Sequence, residues 1–582
     1  MDKLSYLNKY FLRYKKKLAL GFAFILISNA TQVFIPIFLR DGIDAIQTEV
    51  SYDKLFEYGL MIFIAAIIAG IFRYLIRQTI IVVSREIEYD LRQDFWSHIQ
   101  KLSHRYFQNT STGNIMAHAT NDISAVRMYV GPAVMYSVDT VSKFVIIIAI
   151  MVTISPLLTF YTLAPLPLLS FFVYQLSKRI HKKFTLIQES FSDLTTKAQE
   201  NFAGIRVIKS YIREEGEIEV FTKQSEDYLK KTMDKVKIQA LFQPILYTIA
   251  GISIIIVVWI GGTMVIDNKL TLGDITAFVL FLGMLIWPMI AFGWILNIIQ
   301  QASASMKRLV KILNEEIEIA DSKLTRYSVN SIRGKIEFKN VSFRYKDSLP
   351  NVLENINLTI EPGETAAIIG KTGSGKTTLI NLIPRLFDRT EGEILFDGNP
   401  IETIPLNVLR RNVGLVPQET FLFSDTLQNN ILYGTQNGND ELVNSVAEIS
   451  QLNKDVEDFP KGFETMLGER GITLSGGQKQ RSCLARALAI DPKILILDDS
   501  FSSVDTNTEE EILKRLKEFM NERTSIIISH RISTVKDADK IFVLHEGKII
   551  EQGKHEELVA LGGIYADLHY KQLLEEELKE LN

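Results

Sequence analysis

One cysteine, Cys483, stands in a chain of 582 residues, which excludes an internal disulfide framework and offers no cysteine metal cluster. The eight histidines are scattered, without the close spacing of a ligand set. A surplus of one charge is missing too: 64 Lys and Arg against 68 Asp and Glu leave a formal net charge of −4. A dedicated nucleic-acid binder shows a basic surplus, so no nucleic-acid partner is expected. The length exceeds what one ordinary core organises, and two or more domains are expected.

Charge nearly disappears from six long stretches, near 18–40, 55–76, 131–154, 156–177, 241–262 and 275–297. A bilayer core of about 30 Å takes about 20 apolar helical residues at about 1.5 Å each. "LALGFAFILISNATQVFIPIFL" and "GISIIIVVWIGGTMVI" are runs of this kind. So many of them favour membrane spans over buried helices of a soluble core. "YKKK" ahead of the first run, and the Lys- and Arg-bearing segments 77–130 and 178–240, contrast with the acidic "DGIDAIQTEVSYDKLFEY". The positive-inside rule then puts both termini and the two long connections in the cytoplasm. No small-residue cleavage site follows the first run, which reads as a retained span and not a signal peptide.

The two connections are too long for turns. Apolar residues recur at helical spacing in "VVSREIEYDLRQDFWSHIQKLSHRYFQ" and "AQENFAGIRVIKSYIREE", so helices run beyond the membrane. Gly113 and Gly204 mark the expected bends. The spans carry aromatic residues, among them Phe34, Phe38, Phe278, Trp287, Phe292 and Trp294, and a few polar ones, Asn29, Gln32 and Asn297. Aromatic residues here serve packing more often than ligand contact; where they line a cavity, they favour hydrophobic or amphipathic cargo. Lys143, in the third span, is a functional suspect or a side chain snorkelling to the interface.

After a polar linker near 311–332 the pattern changes to short strands and helices. "KIEFKNVSFRY" alternates in part and reads as a strand. "TAAIIGKTGSGKTTLINLI" runs from an apolar strand through a glycine-rich loop into a helix. Gly370, Lys371, Thr372, Gly373, Ser374, Gly375, Lys376, Thr377 and Thr378 make up this P-loop. Its glycines let backbone N–H groups approach phosphates, and the helix N-terminus favours anions. Lys376 reaches the β- and γ-phosphates of a nucleotide, and the Thr377 hydroxyl binds Mg²⁺. The unalternating "ILIL" of Ile494–Leu497 reads as a doubly buried strand ending at Asp498, the second Mg²⁺ partner. "TSIIISHR" ends at His530, and strand ends on one edge of an open α/β sheet share a ligand site. Ser475, Gly476, Gly477 and Gln478 of "LSGGQKQR" open another helix suited to phosphate. One triphosphate would then have two such helix ends, which two copies facing head to tail would resolve.

These motifs, in this order, resemble an ATP-binding cassette (ABC) exporter half-transporter of the multidrug or lipid type, over essentially the whole length. The resemblance implies a six-span α-helical membrane domain over 1–310 and a linker over 311–332. An α/β P-loop nucleotide-binding domain of ABC type would follow over 333–570, then a helical tail over 571–582. It implies ATP and Mg²⁺ as cofactors, a second half-transporter as partner, and a hydrophobic small molecule, lipid or peptide as cargo in a bilayer. A multi-pass position in a bacterial inner membrane is expected, with the cassette in the cytoplasm. Tyr345 resembles the aromatic that stacks on adenine, and Gln418 the glutamine that senses Mg²⁺ and the attacking water. Ser503 and Asp505 resemble the loop crossing between paired cassettes, His530 the switch histidine, and Glu469 of "LGERG" the segment touching the membrane domain. The bends near 109–116 and 202–208 resemble the two coupling helices.

One residue departs from the family pattern. Where most members carry the glutamate that orients or deprotonates the hydrolytic water, this chain has Asp499, shorter by one methylene. A misplacement of about 1 Å can cost on the order of 10²-fold in rate, so this site is expected to be slow. A weakened site beside an intact Ser475–Gly477 resembles one half of a heterodimeric exporter; a homodimer is the rival. Efflux of hydrophobic compounds is the favoured activity. A lipid flippase using the same engine, or an ATP-gated regulator, are the alternatives.

Overall fold

The computed structural model describes residues 4–48, 52–468, 471 and 473–580. The chain forms two compact units: 1–100 with 112–315, and 101–111 with 316–582.

In the first unit, six helices are long and apolar enough to cross a membrane: Lys15–Gln47, Tyr52–Ile99, Thr112–Ile154, Pro156–Ala203, Glu214–Ile266 and Leu272–Leu313. They are called spans 1 to 6. Each contains one of the six apolar runs and extends past it. The boundary between spans 3 and 4 has a local cause. Ser155 is extended, and its hydroxyl accepts the Leu158 N–H at 3.3 Å, while Pro156 occupies the first helical position. A serine cap followed by proline starts a helix without leaving orphan donors. Four five-residue π turns widen the helices, at Arg77–Ile81, His118–Asp122, Tyr129–Ala133 and Val257–Gly261.

The connection after span 4 breaks where expected: Gly204 ends that helix, and the short helix Ile205–Ser210 precedes Glu214. The first connection differs from the expectation. Gly113 lies inside helix Thr112–Ala117, not at a bend. The interruption falls at Thr110, in extended conformation, and at residues 101–103, leaving the short helix His104–Asn109 between them. A glycine is tolerated within a helix, so its presence alone does not place a break.

The second unit holds two sheets. β1 (Ile336–Phe343), β2 (Leu353–Ile360), β4 (Glu391–Phe396) and β5 (Asn399–Pro400) form an antiparallel sheet in the order β2-β1-β4-β5. β3 (Thr365–Ile369), β6 (Val413–Val416), β7 (Ile494–Asp498), β8 (Thr524–Ile528), β9 (Lys540–His545) and β10 (Lys548–Gly553) form the other, ordered β10-β9-β3-β8-β7-β6. It is parallel except for β10. β7 explains its own sequence. Leu495 and Leu497 enter one apolar core, and Ile494 and Ile496 enter the other. Both faces are covered, so no polar alternation is tolerated, and each such side chain contributes about 1.5–3 kcal/mol on burial. Cys483 is buried in the first of these cores.

Candidate functional site

The apolar β3 ends at Ile369 and releases the chain into the loop that begins at Gly370. Gly375 takes a φ of +103° immediately before helix Lys376–Asn381, a conformation that strains any side chain. Lys371, Thr372 and Gly373 are exposed, whereas Ser374, Lys376 and Thr378 are buried. The Lys376 ammonium donates to the carbonyls of Gly370 at 2.8 Å and Lys371 at 3.0 Å. Burial holds it below the usual lysine range, against the pull of Asp498 and Asp499.

Thr377 Oγ1 donates to Asp498 Oδ2 at 2.9 Å. Asp498 closes β7 and is 2% exposed. Burial pushes its carboxyl above the usual carboxylate range, opposed by the Thr377 hydrogen bond and by Lys376. Asp499 then leaves the strand with a φ of +48°, and its N–H donates to the Ile528 carbonyl of β8 at 2.9 Å. Aspartate tolerates this left-handed region better than most side chains. Asp499 and His530 line one small cavity of about 140 Å³, with Ser500, Glu509 and Arg531. Gln418 is exposed, two residues past the end of β6. The C-terminal edges of β3, β7 and β8 thus collect the loop 370–378, Asp498, Asp499 and His530.

Among the described residues, no hydrogen bond joins the Ser475–Gln478 segment to the loop 370–378. Ser475 caps helix Gly476–Ala489: its hydroxyl accepts the Gln478 N–H at 3.3 Å, and the Gln478 side chain accepts the Ser475 N–H at 2.9 Å. A Cβ on Gly477 would meet the Ser503 carbonyl oxygen at 2.9 Å, so only glycine fits without a shift. Gln480 holds the same loop from the helix side, donating to Ser502 Oγ at 2.9 Å and accepting the Ser503 N–H at 2.9 Å. Asp505 caps the next helix, Thr506–Met520, through the Thr508 N–H at 3.0 Å.

Tyr345 lies beside the P-loop, its hydroxyl 2.9 Å from Thr378 Oγ1. Its ring packs edge-on against Phe343 and Phe387, with centroids 5.0 and 5.4 Å away. Phe387 in turn receives the His104 ring at 5.4 Å. Ser103 Oγ donates to Glu318 at 2.8 Å, and Arg105 pairs with Glu318 at 3.6 Å. The helix His104–Asn109 of the first connection therefore sits one ring away from Tyr345. Sequence reading missed Phe387, Gln480 and Glu509. Gln480 stands inside "LSGGQKQR" and could have been suspected; Phe387 and Glu509 carry no local signal. Glu469 lies outside the described residues.

A phosphate-binding loop, a buried aspartate facing its threonine, and six membrane spans on one chain define a membrane-embedded ATPase. Residues 18–289 match the ABC transporter transmembrane region family, and residues 353–502 match the ABC transporter family. The chain is 36% identical over 577 residues to a probable multidrug resistance ABC transporter ATP-binding/permease protein, YheI, of Bacillus subtilis, covering 99% of this chain and 98% of that one. It is 33% identical over 580 residues to an ATP-dependent lipid A-core flippase of Syntrophus aciditrophicus, covering 100% and 96%. A bacterial Atm1-family ABC exporter with ATP bound superposes with a TM-score of 0.77 at 25% identity, covering 96% and 99%. The chain belongs to the ABC transporter family and has the fold of its exporters. It is an integral membrane protein that binds ATP and couples its hydrolysis to transport, and the exporter fold implies a dimer with a substrate in a bilayer.

Proposed function

We propose that this chain is one half of a dimeric exporter that expels hydrophobic or amphipathic compounds by alternating access, with its own ATP site slowed at Asp499. The supporting observation is the contact of the Thr377 hydroxyl with the Asp498 carboxylate at 2.9 Å beside Lys376. Two hard oxygen donors at that separation suit a small divalent cation that keeps waters and phosphate oxygens as its other ligands. Thr377 and Asp498, with Gln418, would hold Mg²⁺, which when bound neutralises charge on the β- and γ-phosphates. Backbone N–H groups of residues 370–377 cradle the phosphates, Lys376 pairs with the terminal ones, and Tyr345 stacks on adenine. Asp499 orients the attacking water, and His530 faces the γ-phosphate from the neighbouring strand.

Ser475, Gly476, Gly477 and Gln478 serve the partner's ATP site in a head-to-tail pair. Among the described residues no hydrogen bond ties them to this chain's own P-loop, which supports that reading. A shortened acid beside an intact signature favours a heterodimer, whose partner carries the competent site. Both termini and the cassette lie in the cytoplasm of a bacterial inner membrane, from the Lys and Arg bias of the connections. A lipid flippase is the second reading, favoured by the identity to the lipid A-core flippase. Transport is tested in inverted vesicles carrying the chain and its partner. ATP-dependent accumulation of a fluorescent amphiphile, lost in Lys376→Ala of both chains, supports the proposal. Accumulation that is unchanged without ATP contradicts it.

A further inference from the structure

His530 lines the small cavity that it shares with Asp499, yet among the described residues its imidazole makes no hydrogen bond and no ring contact. The direction of the ring is therefore set by the backbone that carries it. That backbone is a short irregular turn between the end of β8 at Ile528 and the four-residue helix Ile532–Val535. Three side chains hold the turn. The Ser529 hydroxyl accepts the Arg531 N–H at 3.0 Å. Glu509, from helix Thr506–Met520, accepts from the Arg531 guanidinium and, at 2.9 Å, from the Thr534 hydroxyl. Gln572 arrives from a third element, the helix Ile564–Glu580. Its side-chain amide donates to the His530 carbonyl and accepts the Ile532 N–H at 2.8 Å.

Ile532 is 3% exposed and opens its helix, so its N–H has no intrahelical acceptor. A buried donor left unpaired is costly. A glutamine amide carries an acceptor and two donors on one side chain, whereas a carboxylate only accepts and an aliphatic chain does neither. Gln572 therefore closes both sides of the turn at once. Its place in the helix is unusual for a polar residue. Ile564, Tyr565 and Leu568 pack on the core that takes Leu495 and Leu497, and position 572 continues that face one turn further on. An apolar side chain would extend the stripe; the chain has an amide there instead. The helix is also fixed at its start. Glu551 accepts the N–H groups of Ile564 at 2.6 Å and Tyr565 at 3.1 Å, and the Tyr565 hydroxyl lies 2.7 Å from His555 Nδ1. Gln572 thus reaches the turn from an anchored helix.

We propose that Gln572 is a positioning residue for ATP hydrolysis: through the His530 carbonyl and the Ile532 N–H it holds the turn that aims the His530 imidazole at the γ-phosphate. This role rests on the one proposed above for His530, and it makes the helix Ile564–Glu580 part of the hydrolytic apparatus.

The test uses the full chain, purified and reconstituted, in an Asp499→Glu background, so that hydrolysis does not hinge on whether the aspartate is slow. His530→Ala, Gln572→Met and the double variant are compared by steady-state kinetics. Amide exchange, read by mass spectrometry, follows the peptide 529–535. Gln572→Met, close in shape, should lower kcat about tenfold, the worth of one hydrogen bond. KM for ATP should stay within about twofold, because the interaction acts on the hydrolytic step and not on binding. Exchange at the turn should quicken. In the double variant the loss should equal that of His530→Ala alone, since no imidazole is left to aim. Gln572→Glu keeps the acceptor for the Ile532 N–H and loses the donor to the His530 carbonyl, so it should keep the slow exchange and still lose kcat. Losses that multiply in the double variant, or full activity of Gln572→Met where His530→Ala is impaired, overturn the positioning role and leave that of His530 standing. Full activity of His530→Ala overturns both. Exchange at 529–535 that Gln572→Met leaves unchanged overturns the positioning role whatever the rates are.

Discussion

The Thr377 hydroxyl and the Asp498 carboxylate, 121 residues apart in sequence, meet at 2.9 Å across the ends of the P-loop helix and β7. That contact joins the loop 370–378 to the central strand, and in the proposed function it is where a divalent cation and the terminal phosphates would sit. Replacing Asp498 with Asn should leave the fold intact and lower ATPase activity on the order of 10²-fold or more, as expected for loss of preorganised charge stabilisation. Thr377→Ser keeps the hydroxyl and should retain most of the activity. Steady-state hydrolysis by the two variants, reconstituted identically, checks this. Comparable losses in both would mean that the hydroxyl–carboxylate geometry is not what matters.

The pH dependence of kcat/KM for ATP reports the free enzyme. In the proposed function Asp498 acts ionised, and burial raises its pKa. The acid limb should therefore lie above the usual carboxylate range, with activity lost as pH falls through that raised value. In the proposed function Lys376 acts protonated, and burial lowers its pKa. Its limb should lie below the ordinary lysine value, with activity lost as pH rises through it. A profile whose limbs match free aspartate and lysine contradicts the burial argument.

Phe387 links Tyr345, beside the P-loop, to His104 of the first connection. It is 2% exposed, so Phe387→Ala should cost about 3–5 kcal/mol of stability, read from chemical unfolding of the full chain. His104→Ala removes only the outer ring of the stack. Basal ATPase should survive in that variant while stimulation by transported substrate declines. Unchanged stimulation would show that this stack does not carry the signal.

Asp122 gathers Ser305 at 2.7 Å, Arg308 at 3.0 Å and His118 at 2.6 Å, binding the start of span 3 to the end of span 6. Arg308 is half-exposed, so the pair is screened by solvent and only part of its strength counts. Asp122→Asn should lower stability by about 1–2 kcal/mol. A double-mutant cycle with Arg308→Gln should give a coupling energy of the same sign, and additivity of the two would contradict the pairing.

Much of the site was legible because its signals are local. The unalternating Ile494–Leu497 announced a strand covered on both faces, and the two cores take its side chains alternately. Gly370–Thr377 carried its spacing in one loop, and Ser475–Gln478 its own cap. What stayed hidden depends on distant partners. Phe387 looks like any core aromatic until Tyr345 and His104 close on it. Glu509 is 5% exposed, and its carboxylate accepts from Thr534 and Arg531, both distant in sequence. Gly113 misled because glycine permits a bend without requiring one; the chain breaks at Thr110 instead.

Asp499, in the proposed function, makes this chain's own ATP site slow. The most direct test is the ATPase rate of the purified, reconstituted chain beside that of Asp499→Glu. A low rate is expected, raised by the longer acid on the order of 10²-fold, the scale of a displacement of about 1 Å. Robust hydrolysis by the unaltered chain, with no gain from Asp499→Glu, would contradict it.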